Sequence, residues 1–273
     1  MKAGDKYKAC ASALKDYAKT AGFEQAVIGL SGGVDSSVVA AIAVDAFGAE
    51  NVHGVLLPGP YSTAHSIDDA AELAENLDIE THTVSICEPF EAFEQVIRKA
   101  YREPLRGLAS ENTQARCRMV VLMALSNAHG WMLVNTGNKS EACMGYSTLY
   151  GDTAGAFAPL GGLYKTDVYA IGRWRNEQAV REGRVAPIPE NVFIKPPSAE
   201  LSPGQKDEAS MGVDYAALDR LLIASLEQGK PVEEAADLAG LGAERARGIL
   251  ARVESYAFKR AMEPPFPDVA FYA

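Results

Sequence analysis

The first half of the chain alternates short apolar segments with stretches of helical pattern. Four short segments predict strands, the first of them buried, and helical patterns follow them along the chain. This alternation predicts an α/β fold, with a mostly parallel sheet covered by helices on both faces. Ligands in such folds bind beyond the carboxyl ends of the strands. The predicted strands are 25–30, 52–57, 80–86 and 131–136, and the predicted helices are 37–47, 68–77, 91–101 and 114–129.

The second half of the chain has a different character. The glycine-rich stretch 145–162 shows no helical pattern, and the stretch 187–211 holds five of the 14 prolines. A connection of that length is often a lid, so we expect 187–211 to be mobile without ligand and to close over it. Helical patterns resume at 215–226, 232–238 and 243–258. We therefore expect a single domain, 1–273, with an α/β core at 24–212 and a helical C-terminal region at 213–273.

Charge and cysteine content exclude several classes of protein. The formal net charge is -10 and neither half of the chain is basic, which argues against a dedicated nucleic-acid binder or a polybasic membrane binder. The four cysteines form no CxxC pair and the four histidines no HExxH motif, so a zinc site is not indicated. The N-terminus lacks the apolar segment of a signal peptide, and no apolar run is long enough to cross a membrane. We expect a soluble, cytoplasmic protein.

The most informative local motif lies where the first predicted strand meets the following helix. Its sequence, Ser31-Gly32-Gly33-Val34-Asp35-Ser36, combines glycines, hydroxyl donors and one carboxylate. The free N–H groups and the dipole at a helix N-terminus favour an anion there. Asp35 suits such a site if Mg²⁺ lies between its carboxylate and a phosphate. The segment therefore predicts a phosphate site.

Other nucleotide and catalytic motifs compete for the same segment. A P-loop and a GxGxxG fingerprint are both absent from the chain. Gly29 to Gly33 matches G-x-S-x-G, the nucleophile elbow of α/β-hydrolases, which would make Ser31 a nucleophile. Those enzymes place their histidine late in the chain, whereas no histidine follows His129 here. A serine hydrolase stays a remote alternative.

The SGGxDS segment resembles the pyrophosphate loop of the N-type ATP pyrophosphatases, which cleave ATP between the α and β phosphates. Further motifs resemble, in order and spacing, the synthetase domain of the NAD synthetases. The resemblance implies a Rossmann-like fold of the adenine nucleotide alpha hydrolase type. It also implies amidation of deamido-NAD to NAD through an adenylated intermediate, with release of AMP and pyrophosphate. The motifs are ARCRM (115–119), NTGNKSE (135–141), GYSTLYGD (145–152), GAFAPL (155–160), PPSAEL (196–201) and FKR (258–260).

The same resemblance implies roles for individual residues. Asp35, Glu141 and Lys165 would be catalytic, and Asp35 and Glu141 would bind Mg²⁺. Arg116 and Lys259 would contact deamido-NAD. The residues implied to bind ATP are Gly29, Leu30, Ser31, Gly32, Gly33, Val34, Asp35, Ser36, Leu57, Ser66, Thr136, Lys165 and Ser198.

The versions of two motifs are similar to those of the glutamine-dependent branch of the family. Leu149, Ala156 and Phe258 stand where several single-domain members carry Lys, Asp and His. The glutamine-dependent branch carries an N-terminal amidase domain, whereas about 24 residues precede the first predicted strand here. We therefore expect ammonia as the nitrogen source, either free or supplied by a separate glutaminase, and the resemblance implies a homodimer. The alternatives within the superfamily are another acceptor, amidated or thiolated by the same chemistry, and a non-catalytic nucleotide sensor.

Overall fold

Four parallel strands form the central sheet of the computed structural model, which describes residues 1–273. The strands are β1 (Ala26–Gly29), β2 (Val52–Leu56), β3 (Glu80–Thr83) and β4 (Met132–Leu133), and their order in the sheet is β3-β2-β1-β4. All pairings are parallel, with Ala26 opposite both Val52 and Met132. The predicted parallel sheet is confirmed. The predicted strands 80–86 and 131–136 are both shorter in the structure. Strand β3 ends at Thr83, and its residues are exposed at the edge of the sheet. Val134 forms an isolated bridge with Phe157 instead of extending β4.

Thirteen α-helices accompany this sheet. The four helices that were predicted in the first half are all present, as α2, α3, α4 and α5, and each begins three to six residues earlier than the apolar pattern indicates. The segment 187–211, predicted as a loop, contains the short helices α8 and α9. In chain order the helices are α1 (Ala3–Ala21), α2 (Val34–Phe47), α3 (Ala64–Leu77), α4 (Cys87–Tyr101), α5 (Leu108–His129), α6 (Lys139–Met144), α7 (Lys165–Arg181), α8 (Glu190–Ile194), α9 (Asp207–Met211), α10 (Tyr215–Leu222), α11 (Val232–Ala239), α12 (Ala243–Ser255) and α13 (Ala257–Arg260).

Alternate residues of the strands face two different hydrophobic clusters. Ala26 and Ile28 of β1 pack with α1, α2, α3 and α7 on one face. Val27, between them, packs with Val55 and with residues of α4 and α5 on the other face. This alternation follows from the two-residue period of a strand, and it confirms that helices cover both faces of the sheet.

Helix α7 was not among the predicted elements, although it carries a residue of the candidate site. Its buried side includes Val168, Ile171 and Arg175, so a charged residue interrupts the apolar stripe. The Arg175 guanidinium forms two hydrogen bonds to Asp45 on α2, at 2.8 and 2.9 Å. A buried arginine, held by a bidentate ion pair to the more exposed Asp45, therefore occupies a position where the sequence pattern would lead one to expect an apolar residue.

The C-terminal helices pack against the end of the α/β core that carries α6. Met144 of α6 and Tyr164 share a hydrophobic cluster with Tyr215, Leu218 and Val253. This packing brings α10 next to the first turns of α6 and α7.

None of the helices is both long enough and apolar enough to cross a membrane. All four cysteines are free.

Candidate active site

The loop between β1 and α2 leaves the N-terminus of α2 open. No side chain caps this helix, and Gly33 is its N-cap residue. The hydroxyl of Ser31 accepts a hydrogen bond from the Gly33 N–H at 3.2 Å and lies 2.9 Å from the Ser36 hydroxyl. Hydrogen bonds within the loop therefore stabilise its conformation. Because no side chain satisfies the first N–H groups of α2, these groups remain available to an anion.

Glycine is required at one position of this loop. Gly32 has φ +74°, and a Cβ atom built on it would lie 2.1 Å from the carbonyl oxygen of Ser66 at the start of α3. Gly33, in contrast, has φ −83°, and its nearest neighbour would be the Ser31 hydroxyl at 3.3 Å. The close contact between Gly32 and Ser66 brings the loop and α3 together at the carboxyl edge of the sheet.

A cleft of about 600 Å³ opens at this edge, where α/β folds bind their ligands. Most residues that the sequence implied for ATP and Mg²⁺ lie around it. Gly32 is absent from the lining, although it shapes the loop. The implied residues that line the cleft are Gly29, Leu30, Ser31, Gly33, Val34, Asp35, Ser36, Leu57, Ser66, Thr136, Glu141, Lys165 and Ser198.

Three charged side chains meet in this cleft although they are far apart in sequence. Lys165 is the first residue of α7, Asp35 lies in the first turn of α2, and Glu141 lies in α6. The Lys165 ammonium group binds both carboxylates, with its Nζ 3.0 Å from Glu141 Oε1. Asn138 connects the same two residues, because its Nδ2 donates to the Asp35 carboxylate at 2.8 Å and its Oδ1 caps α6 by accepting from the Glu141 backbone N–H at 3.0 Å.

Burial and mutual attraction determine the charges of this cluster. Burial disfavours the charged form of Lys165, but Asp35 and Glu141 outweigh that effect and raise its pKa. For Glu141, burial raises the pKa, Lys165 opposes the rise, and the carboxylates of Asp35 and Asp207 add to it. Lys165 is therefore held as a cation between the two carboxylates of the cleft.

The cluster fits the requirements of a magnesium ion. Mg²⁺ commonly uses one or two protein carboxylates and completes its shell with water and substrate phosphates. Asp35 and Glu141 supply two carboxylates beside the open end of α2, and no group of three or more His, Cys, Asp or Glu side chains forms a self-sufficient metal site. These residues suit a metal that enters together with a phosphate-bearing substrate.

Arg116 and Lys259, implied to contact deamido-NAD, lie outside the lining of the cleft. The exposed Arg116 donates from Nε to the Leu149 carbonyl at 3.2 Å. The Lys259 ammonium donates to the carbonyls of Gly145 and Ser147, at 2.8 and 2.6 Å. In this structure both cations hold the 145–149 loop. Their contact with a substrate stays a prediction.

The sequence of the chain matches a known protein family over nearly its whole length. The family model described as NAD synthase matches residues 6–263. The chain belongs to the NAD synthase family. This membership confirms the resemblance that the motifs indicated, and it leaves no support for the serine hydrolase alternative.

Relatives in the NAD synthase family include proteins of different length. The glutamine-dependent NAD(+) synthetase of Thermotoga maritima is 49% identical over 232 residues, which cover 84% of this chain and 39% of that protein. The chain thus spans less than half the length of this relative. Two solved structures match from end to end. An NMN synthetase from Francisella tularensis has a TM-score of 0.76 and 32% identity, and the NH3-dependent NAD synthetase of Campylobacter jejuni has a TM-score of 0.72 and 28% identity; each match covers 95% of this chain and 96% of the other.

Arg118 is one of the cations of this NAD synthase cleft that were not singled out from the sequence. Arg118 lines the cleft, where its Nε donates to the Leu57 carbonyl at 3.0 Å. Burial lowers its pKa, while the carboxylates of Glu200 and Asp152 oppose that change. Arg116 and Arg118 belong to the same motif. Because residues two apart point to different sides of a helix, only the fold decides which of them faces the cleft.

Proposed function

We propose that this chain catalyses the ATP-dependent amidation of deamido-NAD to NAD, with ammonia as the nitrogen donor. The observation that carries the proposal is the placement of Lys165 between Asp35 and Glu141, beside the open N-terminus of α2. This arrangement suits the pyrophosphate of ATP and a divalent cation. Family membership then supplies the reaction.

The proposed reaction has two steps. An oxygen of the nicotinate carboxylate attacks the α-phosphorus of ATP, and pyrophosphate leaves. Ammonia then attacks the acyl carbon of the adenylate, AMP leaves, and the new amide loses a proton. The open end of α2 would hold the leaving pyrophosphate, and Lys165 would neutralise the charge that develops on it. Mg²⁺, held by Asp35 and Glu141, would supply further electrostatic stabilisation of the phosphates when bound.

Ammonia is proposed as the species that reacts in the cleft. The Campylobacter jejuni structure, whose name specifies NH3, matches over 96% of its length. The Thermotoga maritima relative is named glutamine-dependent, and this chain covers only 39% of it. We propose that a glutaminase, where one is involved, releases ammonia elsewhere and delivers it to this cleft.

We also propose that the protein is located in the cytoplasm. All four cysteines are free, which suits a reducing compartment.

A direct assay tests the reaction and its nitrogen donor. The purified chain would be incubated with deamido-NAD, ATP and Mg²⁺, with ammonium in one arm and glutamine in the other. We expect NAD, AMP and pyrophosphate in the ammonium arm and no NAD in the glutamine arm. Formation of ADP instead of AMP, or no amide product with ammonium, would contradict the proposal.

The similarity to an NMN synthetase favours a second candidate substrate. That structure matches this chain over 96% of its own length, as completely as the NAD synthetase does. The corresponding substrate here would be nicotinate mononucleotide, the acid form of NMN. Parallel assays with the mononucleotide and the dinucleotide decide between the candidates, since the ratio of their kcat/KM values measures the preference directly.

We further propose that the chain forms a homodimer through α4 and α5. Large apolar side chains are exposed on both helices, among them Phe93 (51%), Val96 (64%) and Val120 (65%). Helices α4 and α5 pack against each other, so these residues belong to neighbouring surfaces. Exposed apolar surface of this kind commonly marks an interface. Light scattering should show a dimer that dissociates on the double substitution Val96→Glu and Val120→Glu, and a wild-type monomer would contradict the proposal.

A further inference from the structure

Asp219, on α10, is a buried carboxylate that uses both of its oxygens. Its side chain lies in the helical C-terminal region, and the residue is only 1% exposed. Oδ1 accepts a hydrogen bond from the Ser140 hydroxyl at 2.5 Å, and Oδ2 accepts one from the Thr166 N–H at 2.7 Å. Both donors are neutral. A buried carboxylate is costly, so packing alone would favour an apolar side chain at this position.

The two partners of Asp219 are direct neighbours of residues in the candidate site. Ser140 precedes Glu141 in α6, and Thr166 follows Lys165 in α7. The Ser140 hydroxyl also accepts a hydrogen bond from the Lys165 N–H at 2.8 Å. One carboxylate therefore joins the first turns of two helices, at the ends where free N–H groups and the helix dipoles favour negative charge.

We propose that Asp219 is a positioning residue for the ligase reaction. By bonding the first turns of α6 and α7, it fixes the position of Lys165 relative to Glu141. The inference rests on the proposed function, because it assigns Asp219 a role in turnover through those two residues. The C-terminal helical region thereby contributes to the geometry of the cleft. Tyr215 of the same helix also contacts the cluster, with its hydroxyl 3.5 Å from Glu141 Oε1 and its ring centroid 5.1 Å from the Lys165 ammonium.

The substitution Asp219→Asn tests the proposal. The amide keeps an acceptor for Ser140 but presents an N–H donor to the N–H of Thr166, so one of the two bonds is lost. We expect kcat to fall about tenfold or more, with the KM for ATP changed less than about threefold, because misplacement of catalytic groups affects the chemical step. The Mg²⁺ concentration for half-maximal rate should rise. The increase in melting temperature on adding ATP and Mg²⁺ without deamido-NAD should persist, since the loop at the N-terminus of α2 is unchanged.

A matched control lies on the same helix. Asp214 caps α10 by accepting a hydrogen bond from the Ala217 N–H at 2.8 Å. Asp214→Ala should lower the melting temperature but leave kcat and the Mg²⁺ requirement unchanged. Should Asp219→Asn not fold, Ser140→Ala breaks the connection between α6 and α7 at its α6 end, because it removes the hydrogen bonds of the Ser140 hydroxyl with Asp219 and with the Lys165 N–H. It should likewise lower kcat about tenfold or more.

Two results would overturn the positioning role. One is a folded Asp219→Asn protein with kcat within twofold of wild type. The other is a loss of activity no larger than the unfolded fraction of the variant, as for a merely structural residue. Failure of the proposed function is distinguishable from both, because the wild-type chain would then form no amide product at all.

Discussion

Lys165 donates a hydrogen bond to Glu141, with Nζ 3.0 Å from Oε1, and the same ammonium group binds Asp35. The two carboxylates proposed as magnesium ligands thus share one protein cation. The side chain of the lysine is only 3% exposed, against 17% for Asp35 and 19% for Glu141. The lysine therefore offsets the charge of the carboxylates from the protein side, while their remaining exposure lies toward the cleft.

Removal of the Lys165 ammonium group should change both the turnover rate and the effect of Mg²⁺ on the melting temperature. We expect Lys165→Ala to lower kcat by about 100-fold or more, because a preorganised charge at the leaving pyrophosphate is lost. Its two partners would then lack a compensating cation. Added Mg²⁺ should therefore raise the melting temperature of the variant more than that of wild type, which thermal denaturation with and without MgCl₂ measures.

Lys139→Ala is a suitable control for the Lys165 experiment. Lys139 lies in α6 and pairs with Glu227 at 2.6 Å, outside the Asp35 and Glu141 pair. Its loss should leave the response to Mg²⁺ as in wild type. Equal Mg²⁺ responses of Lys165→Ala and wild type would argue against a metal held by these carboxylates.

The two neighbouring glycines of the α2 loop should respond differently to substitution. Gly32→Ala introduces a Cβ atom that would lie 2.1 Å from the Ser66 carbonyl oxygen, at φ +74°. The loop or α3 must therefore move, and we expect a loss of stability of about 2 kcal/mol or more. Gly33→Ala meets only the Ser31 hydroxyl at 3.3 Å and should cost less than about 1 kcal/mol. Urea denaturation of the two variants compares these costs, and equal losses would contradict the prediction.

The part of the site that lies on the first strand and its loop could be predicted from the sequence, because its contacts are local. Gly32 and Asp35 belong to one short motif. The relation between Lys165 and Asp35 depends on α7, whose apolar stripe is interrupted by the buried Arg175. The resemblance implied a role for Lys165 but none for Asp219, because a single aspartate in an amphipathic helix looks like a solvent-facing residue until the packing of α10 on α6 and α7 is known.

Arg118 should contribute to nucleotide binding. Its Nε donates to the carbonyl of Leu57, one of the cleft residues implied to bind ATP. We expect Arg118→Ala to raise the KM for ATP about tenfold, because charge-assisted hydrogen bonds or stacking of the guanidinium would be lost. Arg118→Lys should recover only part of the affinity. Arg173→Ala, which removes an exposed ion pair with Glu190, is the matched control, and an unchanged KM for ATP in Arg118→Ala would refute the role.

The segment 195–206 should become more protected when substrates bind. Glu200, at φ +49°, anchors it to the start of α3 by accepting hydrogen bonds from the Thr63 N–H at 3.1 Å and the Ser66 hydroxyl at 2.8 Å. The neighbouring Ser198 lines the cleft. We expect ATP and deamido-NAD together to slow amide hydrogen exchange in this segment, because a closed lid is opened less often. Exchange that is equally fast with and without the two substrates would show that the segment does not act as a lid.

Glu263 should make the stability of the protein fall as the pH rises. Burial raises its pKa from 4.5 to about 7, Asp152 adds to the rise, and Lys259 opposes it. The folded protein thus keeps a proton that the unfolded chain releases between these pH values, so the free energy of unfolding decreases through that window. In the Glu263→Gln variant this side chain carries no charge at any pH. Allowing for solvent screening at this partly exposed group, we expect it to be more stable than wild type by about 1 kcal/mol at pH 8 and equal to it at pH 4.5. Denaturation curves at both pH values measure the difference, and a variant that is less stable than wild type at pH 8 would show that the ionised carboxylate is favoured in the fold.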